Sequence, residues 1–595
     1  MKIFFDSLNA KHLKSSEIAE TFVVSSHFEE TAKHGHTILI GPRGSGKTTI
    51  LRMLSNDVLP KWEKINKKNR YVDYQGVYVP GDIVWGEMIR TLNNAGVNRD
   101  AADEFAYIAF CTHVYLATVE AIEYYIKSVQ NEAGNEFIQS RYERIYDAFN
   151  AICSTLKISL DRVSISRIRI ALNQRLADLG AFCRQKCDDG NLTLSILRQE
   201  LPFSTIELKQ SLESIFSAID FALDRNDQRW AVLLDEFEIA PKYLLDSVLA
   251  NMRSSAKKIM FKVALVPCGV HQDIKYNTSS VHDYSVVELW FNKFSDISSF
   301  CGNIVKNRFE IEEPEQIFGI TKFISNKPGG ASDWSKQFSE LEEKDVTFKS
   351  FLLDKKIEYK TEFANNASPS SNIRKISLLV AFRNAFLNSN GKRKGRKKLT
   401  EFYSGWEAIT RISEGNPRWL IATIRSLITD EKIVSRIDES KQMDSIYRVT
   451  NSYCAMLKTT ALNDNMGISC NYPPFDLLEK ISKYFNSKII DFDFKSSVVG
   501  SFTIDNKISQ DVKNSLMIAW NHGAIVLIDN DKTFGTYKDI DGMRFRISYL
   551  LAPKFELPLR TEKGINLSTI LTHSSSTPSI KEEPCEPQQR NLFDD

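Results

Sequence analysis

Short apolar runs alternate along the chain with longer segments of helical periodicity. Five of these runs have the length of a buried strand and end at polar or glycine-rich positions. They cover residues 37–40, 74–79, 230–234, 259–266 and 284–290. Because helical spacers separate the runs, the pattern predicts an α/β fold built on a doubly wound parallel sheet.

A long segment of helical character lies between the second and third runs. Residues 104–129 are largely apolar and contain neither Pro nor Gly, and residues 208–223 place apolar residues at helical spacing. The sheet does not require so long a connection, so residues 85–227 are predicted to form a large helical insertion. A domain that packs on the core is the preferred interpretation, and an arm that binds DNA or a partner is the alternative.

The first apolar run ends in a glycine-rich sequence that precedes a predicted helix. It comprises Gly41, Pro42, Arg43, Gly44, Ser45, Gly46, Lys47, Thr48 and Thr49. Glycines in such a turn let backbone N–H groups converge on phosphate oxygens, and the helix N-terminus adds positive potential. Lys47 can reach the β- and γ-phosphates, and the Thr48 hydroxyl can bind Mg²⁺. The pattern therefore predicts a nucleoside-triphosphate site, and a surface glycine turn is the alternative.

The run at residues 230–234 ends in two adjacent carboxylates, Asp235 and Glu236. In open α/β sheets, ligands bind at the carboxyl ends of the strands. We expect Asp235 to hold Mg²⁺ through water, and Glu236 to orient or deprotonate an attacking water. Two adjacent carboxylates favour hydrolysis over passive nucleotide binding, and a solvated strand end is the alternative.

These two segments resemble the Walker A and Walker B motifs of AAA+ ATPases. The chain is similar, more narrowly, to bacterial ATPases that resemble the origin-recognition (ORC) family. In that family the stretch before the glycine-rich loop, here residues 5–28, lies against the adenine. Residues 414–420 open a helix in the lid, where Arg418 matches the sensor-2 arginine over the γ-phosphate. The resemblance implies an AAA+ P-loop core from residues 1–84 and 228–292, with ATP and Mg²⁺ as its ligands.

Two positions depart from that family. The sensor-1 position offers Pro267 and Cys268 instead of Asn or Thr, and residues 254–307 contain no arginine to serve as a finger. The nearest substitutes are Arg253, Lys275 and Arg308. These departures favour slow or partner-activated ATP hydrolysis over a fast motor.

Residues 293–430 are predicted to form a helical lid that a polar segment interrupts. That segment ends in a run of cations with no apolar residue among them. The run consists of Lys392, Arg393, Lys394, Arg396, Lys397 and Lys398. It predicts an exposed loop that either contacts the phosphate backbone of DNA or is simply solvated.

Residues 431–560 have the pattern of a winged helix. A helix over residues 510–520 precedes two strands, residues 524–529 and 543–548, with a polar loop between them. Winged helices often bind DNA, and ORC-like ATPases carry one after the lid. The wing could contact DNA through Lys532, Arg544 and Arg546. A role in packing or protein contacts is the alternative.

After Arg560 the chain is polar and rich in Pro and Ser, which predicts a disordered tail over residues 561–595. The tail ends with Gln589, Leu592 and Phe593, whose spacing resembles the peptide by which bacterial polymerases and repair proteins hold the sliding clamp. A flexible tail with two apolar anchors and a glutamine could bind such a clamp.

Composition bounds the class of protein. The chain of 595 residues is too long for one core, and its hydrophobic content of 42% is that of a globular protein. Its net charge of +2 does not point to any particular class of partner, so a surface for nucleic acid would have to be local. The nine cysteines lack metal-site spacing, and the close pair Cys183 and Cys187 has no second pair. Reduced thiols, the absence of a signal peptide and the lack of an apolar run of membrane length predict a cytoplasmic protein.

Two hypotheses of function follow from these features. The first is an ATP-hydrolysing switch associated with DNA, in replication, repair, mobile-element control or antiviral defence. The second is a signalling or scaffold ATPase that regulates a separate protein effector and does not bind DNA. A homo-oligomer is compatible with either hypothesis.

Overall fold

The computed structural model describes most of the chain. The described ranges are 10–67, 71–81, 83–190, 192–253, 258–269, 283–291, 293–323, 334–364, 370–395, 399–428, 435–460, 468–528, 537 and 539–573. The sequence predictions at Lys275, Arg396, Lys397, Lys398, Lys532, Gln589, Leu592 and Phe593 lie outside these ranges.

Nine strands form two sheets within the described residues. They are β1 (Thr37–Ile40), β2 (Tyr74–Val79), β3 (Arg229–Leu234), β4 (Ile259–Leu265), β5 (Ser285–Glu288), β6 (Val499–Thr503), β7 (Ile525–Leu527), β8 (Arg544–Ile547) and β9 (Lys563–Asn566). The first five form one sheet in the order β2-β3-β4-β1-β5, and every pairing in it is parallel. The predicted parallel sheet of five strands is therefore confirmed.

Twenty-six α-helices accompany the sheets in the same part of the chain. They are α1 (Ser15–Thr21), α2 (Ser26–Ala32), α3 (Lys47–Met53), α4 (Leu59–Ile65), α5 (Ile83–Asn94), α6 (Arg99–Ala133), α7 (Asn135–Gln139), α8 (Tyr142–Thr155), α9 (Ile165–Asp189), α10 (Leu194–Glu200), α11 (Leu208–Ala222), α12 (Lys242–Met252), α13 (Phe294–Phe309), α14 (Pro314–Phe318), α15 (Trp334–Lys344), α16 (Val346–Asp354), α17 (Tyr359–Ala364), α18 (Ser371–Phe386), α19 (Thr400–Tyr403), α20 (Trp406–Ser413), α21 (Pro417–Leu427), α22 (Glu439–Lys458), α23 (Pro474–Ile490), α24 (Gln510–Asn521), α25 (Ala552–Phe555) and α26 (Leu567–His573). Short 3-10 turns lie at Ala10–His12, Pro202–Thr205, Phe237–Ile239 and Tyr549–Leu551.

The parallel sheet is covered on both faces, which explains its nearly continuous apolar strands. Every residue of β1 and of β4 is buried. In register, Ile40 of β1 lies opposite Leu265 of β4 and Glu288 of β5. Because the strands are parallel, the carboxyl ends of β1, β3 and β4 meet at one edge of the sheet. The glycine-rich turn, Asp235 and Pro267 leave the sheet at that edge.

The segment between β2 and β3 is helical, from α5 to α11. Its longest helix, α6, has 35 residues and packs against α5, α9 and β2. By length and composition α6 could cross a membrane, since an 18-residue window has a mean hydropathy of 1.4. However, 72% of that window is buried inside the protein, as in the core helix of a folded domain.

The second sheet has the order β7-β8-β6-β9 and belongs to the C-terminal part of the chain. The helix and two strands predicted after residue 509 are present as α24, β7 and β8, and β7 pairs antiparallel with β8. The strands β6 and β9 were not predicted. They pair in parallel with each other and widen the sheet to four strands.

The prediction of a disordered tail from residue 561 onward is wrong for its first part. Residues 563–573 form β9 and α26, and the side chains of Leu567 and Ile570 are fully buried. The long Pro- and Ser-rich sequence that follows dominates the composition of the tail and hides the short apolar segment at its start. Strand pairing and two buried side chains give that segment its structure.

Candidate nucleotide-binding site

The glycine-rich turn connects β1 to α3 and forms the floor of the candidate site. Gly44 and Gly46 adopt left-handed backbone conformations, with φ of 89° and 99°. A β-carbon at Gly44 would lie 2.9 Å from the Oδ1 atom of Asn416. Both positions therefore favour glycine for the backbone shape of the turn, and Gly44 also allows the close approach of the segment before α21.

Lys47 is the first residue of α3, and its side chain is buried in the turn. The Nζ atom donates hydrogen bonds to the carbonyl oxygen of Gly41 at 2.5 Å and that of Pro42 at 3.3 Å. Burial lowers the pKa of Lys47, and the carboxylates of Glu238 and Asp235 oppose that shift. The ammonium group is thus held inside the turn and flanked by negative charge.

Asp235 follows β3, and its Oδ2 atom accepts a hydrogen bond of 2.8 Å from the Tyr78 hydroxyl. Burial raises the pKa of Asp235, while the Tyr78 hydroxyl and the side chain of Thr48 lower it. Thr48 is thus close enough to Asp235 to act on its carboxylate. A hydroxyl and a carboxylate are hard oxygen ligands of the kind that Mg²⁺ prefers, so Thr48 and Asp235 fit that ion.

Glu236 has a left-handed backbone, with φ of 48°, which is uncommon for a residue with a β-carbon. Its Oε2 atom accepts a hydrogen bond of 2.6 Å from the Lys11 ammonium, and the carboxylate side chain is 40% exposed. The structure therefore brings Glu236 next to Asp235 and also joins it to a cation from the N-terminal segment.

A cavity of about 560 Å³ opens over the glycine-rich turn. This volume lies in the usual range for small-molecule sites. Part of its lining is charged, with Lys47, Glu236 and Arg418. Another part is apolar and consists of Leu13, Ile18, Phe22, Phe291, Phe300 and Ile421. The first three of these come from the segment that the family resemblance places against the adenine.

Two arginines from outside the parallel sheet also line the cavity. Arg418 is near the start of α21, where the Asn416 side chain accepts a hydrogen bond from the Arg418 backbone N–H at 3.1 Å. Burial and the charge of Arg43 lower the pKa of Arg418, and Glu236 opposes that shift. Arg308, near the end of α13, is the second. It was considered as a substitute arginine finger, and it lies in the cavity of its own chain.

Glu238 is a site residue that the sequence analysis missed. Its side chain lines the cavity and is buried, and its Oε2 atom has no hydrogen-bond partner in the described part of the chain. Among the carboxylates, it has the largest influence on the pKa of Lys47. The signal in the sequence that could have identified it is its position as the third acidic residue among the four residues after β3.

The missed residues Tyr78 and Lys11 had no comparable signal in the sequence. Their contacts to Asp235 and Glu236 span 157 and 225 residues, respectively. Tyr78 belongs to β2, which pairs with β3, so the order of strands in the sheet creates its contact.

The sensor-1 position after β4 presents its backbone to another part of the chain. Cys268 is fully buried, and its N–H and C=O groups are both hydrogen-bonded to the side chain of Asn521. Pro267 and Cys268 are not among the residues that line the cavity. The position that lacks the usual polar side chain is therefore also the position at which the chain bonds to α24.

Three arginines considered for DNA contacts bond within the protein. Arg546 forms a two-pronged ion pair with Glu414, with N–O distances of 2.6 and 2.8 Å. Arg544 donates hydrogen bonds to the Ser501 hydroxyl and to the carbonyl of Glu562. Arg393 donates to Asn486, Asp491 and Glu556. The neighbours of Arg393 in the basic run, Lys392 and Lys394, are exposed.

The described ranges contain no group of three or more His, Cys, Asp or Glu residues that could hold a metal ion. Their eight cysteines, including Cys183 and Cys187, are free.

A parallel sheet, a glycine-rich phosphate cradle and a hydroxyl–carboxylate pair at its edge define the class of P-loop nucleotide-binding proteins. Within this class the chain belongs to the ORC-CDC6-like family, whose model matches residues 4–567. No curated protein and no solved structure matches the chain. Family membership is consistent with an ORC-like AAA+ ATPase, a class that in general hydrolyses nucleotides.

Proposed function

We propose that this chain binds ATP with Mg²⁺ and hydrolyses the bound nucleotide. The observation that carries the proposal is the placement of Thr48 and Asp235 close to the buried ammonium of Lys47 in the glycine-rich turn. These groups supply the two oxygen ligands and the cation that a metal-bound triphosphate requires. The apolar part of the cavity offers a surface for the base.

Each residue then has a distinct task at the site. Lys47 exchanges its bonds to the Gly41 and Pro42 carbonyls for phosphate oxygens, and the N–H groups at the start of α3 hold the same phosphates. Thr48 and Asp235 would hold Mg²⁺, which would neutralise negative charge on the phosphates. Glu236 orients the attacking water and accepts its proton. Arg418 approaches the γ-phosphate from the lid.

The surroundings of Glu236 support slow hydrolysis. Its ion pair with Lys11 at 2.6 Å engages the Oε2 atom and restrains the carboxylate that would bind the water. The sensor-1 position holds Pro267 and Cys268 and offers no polar side chain to the nucleotide. The backbone of Cys268 is bonded to Asn521 instead. A site with these features suits a switch that hydrolyses ATP slowly or after a partner has rearranged it.

The proposed organisation has four units, the core that carries this site and three others. Residues 1–84 and 228–292 form the AAA+ core, residues 85–227 the helical insertion, residues 293–430 the lid and residues 431–560 a winged-helix domain. The order α24, β7, β8, with the two strands antiparallel, supports the winged helix. Ordered residues up to 573 extend its sheet, so this domain would end after α26.

We further propose that the switch is associated with DNA, through the basic run and the winged helix. Lys392 and Lys394 are exposed, and the run continues with Arg396, Lys397 and Lys398. Exposed cations without apolar neighbours suit contacts to phosphate oxygens. Regulation of a separate protein effector is the alternative, and the exposed aromatic residues Tyr142 and Phe221 of the insertion offer a surface for it.

The ATPase rate with and without duplex DNA distinguishes the two functions. The DNA-associated switch predicts stimulation of the wild-type rate, whereas the effector-regulating ATPase predicts no response.

Replacing Lys392 and Lys394 by alanine should flatten the salt dependence of DNA binding by about one unit of log–log slope per lost contact. The matched control replaces Lys61 and Lys64, which are exposed on α4. Equal slopes in both double variants would exclude this loop as a DNA contact.

A clamp contact through Gln589, Leu592 and Phe593 is a separate proposal. It predicts capture of the chain by a bacterial sliding clamp, and loss of capture when Leu592 and Phe593 are replaced by alanine. Equal capture of both chains would exclude the contact.

A further inference from the structure

The end of α24 reaches from the C-terminal part of the chain into the nucleotide site. Asn521 is fully buried there. Its side-chain Oδ1 accepts a hydrogen bond of 2.8 Å from the Cys268 N–H, and its Nδ2 donates one of 2.8 Å to the Cys268 carbonyl. Its backbone carbonyl accepts a third hydrogen bond of 2.8 Å, from the Arg43 N–H of the glycine-rich turn. One residue thus ties α24 to both the turn and the end of β4.

Neighbouring contacts hold the turn from a second side. The Asn416 Nδ2 atom donates a hydrogen bond of 3.2 Å to the Arg43 carbonyl. Both polar groups of Arg43 are therefore bonded, its N–H to α24 and its C=O to the residue that caps α21. Beyond Arg43, the turn enters its left-handed glycines and reaches Lys47. Fixing Arg43 restricts the shapes that the phosphate cradle can adopt.

Two more contacts join the same parts of the molecule. Tyr537 pairs with the end of β4, with hydrogen bonds to the Pro267 carbonyl at 2.9 Å and from the Gly269 N–H at 3.4 Å. Arg546 on β8 forms its buried ion pair with Glu414, four residues before Arg418. The C-terminal part of the chain therefore contacts the glycine-rich turn, the sensor-1 position and the start of the sensor-2 segment.

The residue after Asn521 shows how closely this region approaches the charged lining of the cavity. His522 is buried, and its Nδ1 atom has no hydrogen-bond partner in the described residues. Burial, Arg43 and Arg418 together lower its pKa to about 3. The neutral imidazole thus lies within electrostatic reach of two arginines that line the cavity.

We propose that Asn521 is a positioning residue of the nucleotide site, and that docking of α24 and binding of the nucleotide stabilise each other. This inference rests on the proposed function, since it needs a nucleotide in the cavity. Asn521 fixes the turn in the shape that contacts the phosphates. Its side chain also holds the backbone of Cys268 at the sensor-1 position. Binding and docking are linked, so each must strengthen the other by the same factor.

Cys268 provides a probe of docking in the full-length chain. Its thiol is fully buried, its backbone is bonded to Asn521 of α24, and burial raises the pKa of the thiol well above its usual value. We therefore expect alkylation of Cys268 to require that the contact with the C-terminal part of the chain opens. Mass spectrometry of each cysteine peptide measures its rate, and Cys111 in the helical insertion serves as the internal reference.

In the wild-type chain, saturating ATP with Mg²⁺, or a non-hydrolysable analogue, should slow alkylation of Cys268 at least about fivefold, within the usual range of such coupling. The rate at Cys111 should not change. Replacing Asn521 by alanine should speed alkylation of Cys268 and weaken nucleotide binding. The loss of nucleotide affinity should not exceed the factor by which the nucleotide slows alkylation in the wild type. Asn521→Asp, which keeps the acceptor and loses the donor, should lie between the two.

Asn514→Ala is the matched control, because Asn514 lies on the same helix and bonds to the Ser469 carbonyl within the C-terminal part. It should leave nucleotide affinity unchanged. Nucleotide binding without protection of Cys268 would overturn the inference and leave the proposed function standing. Faster alkylation in Asn521→Ala with unchanged affinity would also overturn it. A wild-type chain that binds no nucleotide would overturn both.

Discussion

Three acids within four residues after β3 lie in three different environments. Asp235 is buried and hydrogen-bonded to Tyr78. Glu236 is partly exposed and paired with Lys11. Glu238 is buried, with one oxygen unpartnered. Environment rather than residue type separates their roles, as expected where carboxylates share a catalytic site. Under the proposed function, Asp235 serves metal binding and Glu236 serves water activation.

Glu236→Gln tests the role of the second acid. The amide cannot accept a proton from water, so we expect ATP turnover to fall by about 10²- to 10⁴-fold. Binding of ATP should persist, because Lys47 and Thr48 are unchanged. Steady-state phosphate release and binding of a fluorescent nucleotide measure the two quantities separately. Unchanged turnover would remove the assignment of Glu236.

Lys11→Ala tests whether the ion pair restrains Glu236. A partly exposed ion pair is worth up to about 1 kcal/mol, so its loss should raise turnover by up to about fivefold. Lys14→Ala, an exposed neighbour in the same segment, should leave the rate unchanged. Slower hydrolysis in Lys11→Ala would indicate that the ammonium assists the reaction.

The sequence-predicted residues that the structure brings together at the glycine-rich turn are those in short motifs. Lys47 and Thr48 follow the glycine-rich turn, and Asp235 follows a strand that pairs within the same sheet. Asn521 could not be found in this way, because its contact with Cys268 spans 253 residues and follows no repeated spacing. Such contacts depend on how the separate parts of the chain pack.

At the scale of elements, burial decided which strands the sequence revealed. The strands β1 and β4 are buried along their whole length and read as continuous apolar runs. In β6, with the sequence VGSFT, only two of five residues are buried. Strand β9, with the sequence KGIN, has no fully buried residue. Their backbone pairing with each other orders them, and pairing leaves little trace in the hydrophobic pattern.

Truncation tests the role of β9 and α26. A chain that ends at Glu562 loses both elements and with them the buried side chains of Leu567 and Ile570. Their burial should contribute about 3–6 kcal/mol, so we expect a lower Tm. A chain that ends at His573 retains both elements and should melt like the full-length protein. Equal melting of all three chains would contradict the ordered tail.

The buried Lys262 on β4 predicts a pH dependence of stability. Its ammonium donates to the carbonyls of Lys33 and Gly35, and burial lowers its pKa from 10.5 to about 7. Between these values the unfolded chain binds more protons than the folded one, so stability should rise with pH from about 7 to about 10.5. Denaturant midpoints of wild type and Lys262→Met, compared across that range, isolate this contribution. An equal rise in both proteins would contradict it.

At the scale of the whole molecule, the C-terminal sheet and α24 are part of the nucleotide site's support. Arg43, Cys268 and Glu414 each bond to the C-terminal part of the chain. The same contacts engage Arg546, which is therefore not free to serve a DNA-binding wing while α24 is docked. Under the proposed function, a partner that displaces this part would alter both the phosphate cradle and the availability of Arg546.

The central claim is that the cavity over the glycine-rich turn binds ATP with Mg²⁺, and titration with a fluorescent ATP analogue tests it most directly. We predict saturable binding that Mg²⁺ strengthens, and at least about a tenfold loss of affinity in Lys47→Ala, since a buried charge-assisted bond to phosphate is removed. Lys61→Ala, an exposed lysine on α4, should bind like the wild type. Absence of binding in the wild type, or equal affinity in Lys47→Ala, would contradict the account.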